Sequence, residues 1–209
     1  MTTHLNSNNP IKFLALGDSY TIGESVSESG RWPVQLSDSL AAKGFSVAKT
    51  EIIATTGWTT SELLNGISKT APDSTYNLVS LLIGVNNQYR GLELTIYQRE
   101  FEALLKQAIG FAGGDSSRVF VVSIPNYGVT PFGQSRGEDR IRQELLAYDS
   151  VAQQISLGYG IPFVDITPIS EKAKSDTTLI ANDQLHPSAK MYTLWVEEML
   201  PSVMPLLQQ

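Results

Sequence analysis

Short, nearly unbroken apolar runs alternate along this chain with longer stretches whose apolar residues recur at helical spacing. Residues 11–16 form the first run and read as a strand. Residues 31–43 carry Val34, Leu36, Leu40 and Ala41 near helical spacing, with Gly44 behind them as a stop, and predict a helix. A second strand is predicted over 45–53. A short helix follows over 60–67, with Thr60 or Ser61 as its cap. Residues 78–85 are apolar at every position but Ser80 and Gly84 and have strand length, the pattern of a strand buried on both faces. A long helix over 95–111, closed by Gly113 and Gly114, leads to a strand over 118–124 that stops at Pro125. Beyond a Gly- and Pro-containing loop the pattern predicts a helix to about Leu157, a fifth strand over 161–165 and a terminal helix over 187–200.

This alternation implies an α/β protein with a parallel sheet covered on both faces. No linker, repeat or low-complexity segment interrupts it. The expected organisation is a flexible tail over 1–10 and a single domain over 11–209. Ligands of such sheets bind beyond the carboxyl ends of the strands. Polar residues stand at those ends: Ser19 after the first strand, Gly57 after the second, Asn86 after the third, and Asp183 with His186 after the fifth.

Those residue types suit acyl transfer from an ester. Ser19, in Gly17-Asp18-Ser19, sits where a buried strand turns into the next element, with its hydroxyl exposed beside free backbone N–H groups. A serine needs a base to react at neutral pH. His186, the one histidine outside the tail (His4 lies within it), can serve as that base. Asp183 could hold the imidazole in the useful tautomer. The backbone N–H groups of Ser19 and Gly57 and the side-chain amide of Asn86 could receive the oxyanion. Taken singly, these residues have plainer readings as a helix cap, a turn glycine and a turn pair. Their order and spacing together favour catalysis.

Four such segments in this order resemble the blocks of an SGNH hydrolase of the GDSL esterase/lipase superfamily. Gly17-Asp18-Ser19 is similar to the first block, Gly57 to the second, Asn86 to the third and Asp183-x-x-His186 to the last, so the resemblance spans residues 13–186. Tyr20-Thr21 stands where the first block commonly has Leu, and Asn87 stands where many members have Asp. The resemblance implies a flavodoxin-like three-layer α/β/α sandwich on a five-stranded parallel sheet. It also implies hydrolysis of esters or thioesters, with no cofactor. An acyltransferase, lysophospholipase or thioesterase on the same scaffold is the alternative, and a non-catalytic binding domain is disfavoured.

Composition trims the remaining possibilities. The chain has 209 residues, 42% of them hydrophobic and 17% charged, and a net charge of −6. That charge disfavours a nucleic-acid partner. Cysteine is absent, which removes thiolate nucleophiles and Cys-ligated metals, and no second histidine or carboxylate cluster completes a metal site around Asp183 and His186. No stretch approaches the roughly 18 apolar residues of a spanning helix. With no secretory signal in the sequence as given, a cytoplasmic location is expected, or a periplasmic or secreted one for a mature form. The oligomeric state is not readable. The expected partner is a small ester, such as an acetylated carbohydrate. Asp18, Trp32, Trp58, Tyr89, Arg90 and Tyr127 are the residues expected to line its pocket, which is read as open and polar. Gly133-Gln134-Ser135-Arg136-Gly137 matches a G-x-S-x-G elbow, but it stands too far from a strand end to act as one.

Overall fold

The computed structural model describes residues 10–72 and 75–208. Among them, β1 (Ile11–Gly17), β2 (Val47–Ala54), β3 (Leu78–Leu82), β4 (Val119–Val122) and β5 (Phe163–Val164) form one sheet in the order β2-β1-β3-β4-β5. Every pairing is parallel. The helices are α1 (Ser19–Ile22), α2 (Trp32–Ala42), α3 (Thr60–Thr70), α4 (Val85–Tyr89), α5 (Leu94–Phe111), α6 (Pro131–Gln134), α7 (Glu138–Gly158), α8 (Thr167–Ser170) and α9 (Ala189–Val203). α2 packs on α9 over one face of the sheet, while α3, α5 and α7 pack side by side over the other. This is the flavodoxin-like three-layer arrangement. Its strand order reverses between β1 and β3, and the crevice at that reversal is where ligands bind in such sheets.

Burial explains the strand patterns. All five residues of β3 and all four of β4 are buried, since helices cover both faces. Edge strand β2 instead mixes exposed and covered positions before ending on buried Ile53 and Ala54. Phe13 of β1, Trp32 of α2 and Phe120 of β4 stack in the core, with ring centroids 6.1 and 6.2 Å from that of Phe13. The expected pocket role of Trp32 is thereby corrected, because its ring is fully buried in this core.

Several boundaries differ from expectation. The apolar run over 78–85 is a strand only to Leu82. Gly84 adopts φ 136°, and Val85 opens α4 instead of extending β3. α3 is capped by Thr59, not Thr60 or Ser61, through a reciprocal capping box with Glu62. β2 starts at Val47. Pro187 pairs with Ile180 in an isolated antiparallel bridge, so Ser188 becomes the cap of α9. The expected flexible tail falls, for residues 1–9, outside the described residues.

Candidate active site

The turn after β1 is tight. A Cβ at Gly17 would lie 2.2 Å from Thr21 Oγ1 and 2.5 Å from the Leu82 carbonyl, so only glycine fits there. Asp18 caps α1 by accepting from the Tyr20 N–H at 3.0 Å. Ser19 is the first helical residue, 4% exposed. Gly23 ends α1 in the left-handed conformation, its N–H donating to the Ser19 carbonyl at 3.0 Å. Asp18 has no exposed surface, which corrects its expected place in the substrate site. Burial raises its pKa to about 7, against the backbone N–H donors of Tyr20, Asp18 itself and Gly84.

The segment before α9 brings in the acid and the imidazole. His186 Nδ1 lies 2.6 Å from Asp183 Oδ2, and the Leu185 and His186 N–H groups donate to Asp183 Oδ1 at 3.0 and 2.9 Å. Gln184, at φ 63°, supplies the left-handed bend that turns both N–H groups toward the carboxylate. Ser25 Oγ donates to Asp183 Oδ2 at 2.7 Å. Desolvation pushes the Asp183 carboxyl up, but the donors from Ser25, His186 and Leu185 outweigh it and hold its pKa at about 2. The carboxylate therefore stays ionised and fixes Nδ1 of His186 as the protonated nitrogen, which leaves Nε2 free to accept a proton. The Tyr20 ring meets the imidazole edge-on, 5.7 Å between centroids.

The loop after β2 is pinned from three sides. Gly57 holds φ 86°. Its carbonyl accepts from Arg90 Nη2 at 2.5 Å, and Arg90 also pairs with Glu62 at 3.2 Å. Asn86 Nδ2 donates to the Trp58 carbonyl at 2.9 Å. Thr56 Oγ1 donates to Glu24. Behind the loop, buried Asn87 clasps Thr60: Oδ1 accepts from the Thr60 N–H at 3.0 Å, and Nδ2 donates to Thr60 Oγ1 at 2.7 Å. Thr60 Oγ1 in turn donates to Glu100 at 2.5 Å. Asn87 thus ties α4 to the start of α3.

These groups meet in one pocket. A cavity of about 250 Å³ is lined by Ser19, Gly57, Asn86 and His186 together with Tyr20, Val85, Tyr89, Tyr127, Phe132 and Leu185. Its walls are apolar, contrary to the open polar cleft expected. The reason is that the Gly- and Pro-containing loop after β4 folds back and sets Phe132 of α6 beside Tyr89 and Tyr127, with centroids 6.2 and 6.4 Å away. A larger polar cleft, about 640 Å³, adjoins it across Tyr89 and Tyr127 and includes Gln88, Glu93, Arg136, Arg140 and Glu144.

Of the residues expected to face substrate, Tyr89 and Tyr127 line the pocket. Arg90 is committed to Gly57 and Glu62. The Trp58 ring lies against Gly66 of α3, where an added Cβ would sit 2.2 Å from Trp58 Cη2. Ser135 is exposed and donates to the Phe132 carbonyl at 3.0 Å, away from any strand end. Among the described residues no cluster of His, Asp and Glu could hold a metal ion, and no helix is long and apolar enough to cross a membrane. Residues not anticipated are Glu24, Ser25 and Thr56, which brace the site, and Phe132 and Leu185, which wall it. Only Leu185, between Asp183 and His186, carried a signal through its position.

Comparison with known proteins agrees with this architecture. A family model described as the GDSL-like Lipase/Acylhydrolase family matches residues 15–194. No curated protein matches the chain in sequence. Among solved structures, TesA superposes with a TM-score of 0.72 at 17% identity, covering 93% of this chain and 99% of its own. A psychrotrophic esterase, EstA from Pseudoalteromonas sp., whose structure is inhibited by monoethylphosphonate, gives 0.69 at 21% identity, covering 95% and 99%. A mutant of Axe2, an acetyl-xylooligosaccharide esterase from Geobacillus Stearmophilus, gives 0.72 at 18% identity, covering 92% and 94%.

Proposed function

The chain belongs to the GDSL-like lipase/acylhydrolase family, and from that premise we propose that it hydrolyses small carboxylic esters through an acyl-enzyme on Ser19. The observation that carries this reading is the Asp183–His186 pair, joined at 2.6 Å, on the wall of the pocket that also holds Ser19, Gly57 and Asn86. Ser19 Oγ attacks the ester carbonyl as His186 Nε2 takes its proton. The C–O bond to the alcohol then breaks, and Nε2 returns the proton to the departing oxygen. Water repeats the sequence on the acyl-enzyme, releases the acid and restores Ser19. Asp183, ionised through this cycle, stabilises the imidazolium without taking a proton.

The oxyanion is received by the Ser19 and Gly57 N–H groups and by the Asn86 amide. These donors suit the task because they are fixed before substrate arrives, and aligned donors cost no reorganisation at the reaction step. Asn86 has two amide hydrogens. One is engaged by the Trp58 carbonyl, which sets the orientation of the other.

Pocket size bounds the acyl group. The apolar pocket has a volume of about 250 Å³. Apolar walls of this extent suit a short acyl chain. The adjoining polar cleft suits a polar alcohol. The acetylated xylooligosaccharides named for Axe2 are esters of this kind.

The test is covalent labelling with a fluorophosphonate followed by peptide mapping. The label is expected on Ser19 and absent from Ser135, and Ser19→Ala is expected to lose turnover while keeping its fold. Label on Ser135, or an active Ser19→Ala variant, overturns the reading.

A further inference from the structure

Two loops meet behind the catalytic groups at a residue with no part in the chemistry above. Ser25 follows the left-handed Gly23 and itself adopts φ 65°, a conformation that favours glycine. Its hydroxyl explains why a side chain is kept there. Ser25 Oγ donates to Asp183 Oδ2 at 2.7 Å, and Oδ2 is the oxygen that faces His186 Nδ1 at 2.6 Å. The preceding residue, Glu24, accepts from Thr56, next to Gly57. The short segment after α1 therefore braces the oxyanion loop with one residue and the catalytic carboxylate with the next.

Resting on the esterase reading, we propose that Ser25 is a positioning residue of the proton relay: its hydroxyl fixes the Asp183 carboxylate and draws off part of the negative charge that Oδ2 offers His186. Oδ2 shares its charge between two donors. With the hydroxyl gone, the whole of it faces the imidazole, and the protonated form of His186 is stabilised. The groups coupled to Asp183 through Tyr20 and Tyr192 are acids and phenols, and the Arg31 side chain packs against the same segment at Gly23. Asp18 lies at the turn after β1, Tyr20 on α1, Glu24 in the same loop as Ser25, and Tyr192 on α9. A change at Ser25 removes a hydrogen bond and no charge, so the direction of the effect is set by the lost hydrogen bond. Orientation changes too: Oδ2 keeps the imidazole as its sole side-chain donor, while Oδ1 remains held by the Leu185 and His186 N–H groups.

The experiment compares wild type with Ser25→Ala and Ser25→Asn. Alanine removes the donor. Asparagine tolerates left-handed backbone and restores a donor in its amide. The first readout is the NMR titration of the His186 ring, resolved from the one other histidine, His4. The second is the acid limb of kcat/KM on nitrophenyl butyrate. In Ser25→Ala both midpoints are expected to move to higher pH by roughly half a unit, with kcat down about three- to tenfold; in Ser25→Asn the midpoints are expected to return toward wild type. Unmoved midpoints in Ser25→Ala overturn the proposal, including the case where kcat falls alone, since that marks a merely structural role. The ring titration needs no turnover, so it reports on Ser25 even if Ser19→Ala stays active and the esterase reading falls.

Discussion

Exchanging Asn87 for Asp replaces one nitrogen by oxygen at a site with no exposed surface, and the hydrogen-bond chain around it fixes the consequence. Thr60 Oγ1 has a single proton. It spends that proton on Glu100 at 2.5 Å, and can therefore only accept from Asn87 Nδ2 at 2.7 Å. An ionised carboxylate in place of that amide would offer a second acceptor, so either it or Glu100 loses its partner. A buried polar group left unsatisfied costs about 1–3 kcal/mol, and more when charged, so about 3 kcal/mol is the expected loss for Asn87→Asp at neutral pH. At about 2–4 °C per kcal/mol for a domain of this size, the melting temperature should fall by about 6–12 °C. The loss has a sign with pH. A protonated Asp can donate to Thr60 Oγ1 as the amide does, so the variant binds an extra proton when folded and its deficit should shrink as pH drops toward 4. Adding Glu100→Gln removes the competing carboxylate and should recover most of the loss at pH 7.5. Thermal melts of wild type, both single variants and the double variant across pH 4–8 form the complete cycle. An Asn87→Asp variant that melts with wild type at pH 7.5, or a deficit that Glu100→Gln leaves intact, refutes the chain as drawn.

Asn86→Ala should lower kcat by about 10²–10³, the cost of one oxyanion donor, with a smaller change in KM; steady-state kinetics giving a kcat near wild type would leave Asn86 with only its bond to Trp58. Asp149 on α7 has its pKa raised to about 8, by burial above all and by Asp165, against the Ile124 N–H donor. Its folded form holds a proton that the unfolded chain releases near pH 4. Its contribution to stability therefore declines as pH rises from about 4 to 8, and Asp149→Asn, which keeps an acceptor for Ile124, should flatten the fall of melting temperature over that interval and gain most above pH 8. In a chain-length series of nitrophenyl esters at matched monomeric concentrations, kcat/KM should be highest at butyrate to hexanoate and low at palmitate. A steady rise to twelve carbons would mean that the Phe132 wall opens.

The sheet and the residues proposed to react stand out in the sequence because both are written locally. A strand covered on two faces is apolar at nearly every position, as Leu78–Leu82 is apart from Ser80, and the residue that follows its end is conspicuous by being small or polar. Gly84 is not legible as a strand end, because a positive φ leaves no mark in an apolar run that continues through Val85. Thr59 is identifiable as the cap, since Glu62 stands three residues beyond it. Asp18, Trp58 and Arg90 read as substrate residues because chain position suggests nearness but not direction. What occupies them (the α1 N-terminus, the face of Gly66, the Gly57 carbonyl) lies on partners that pattern does not connect. Ser25 and Phe132 likewise owe their places to contacts with segments remote in the chain, around Asp183 and Gln184.

The pocket wall at Phe132 is joined to the segment that carries Asp183 and His186 through the backbone, and to Tyr89 and Tyr127 through its ring. The Phe132 N–H donates to the Gln184 carbonyl at 3.3 Å, a bond indifferent to which side chain stands at either position. The donors and the proton relay hang on other residues: Glu24, Ser25, Arg90 and Asp183. Exchanges at position 132 therefore reshape the pocket while the backbone bond to Gln184 and the Asp183–His186 hydrogen bond stay in place, so that, on the proposed reading, ester preference can drift in single mutational steps apart from the proton relay.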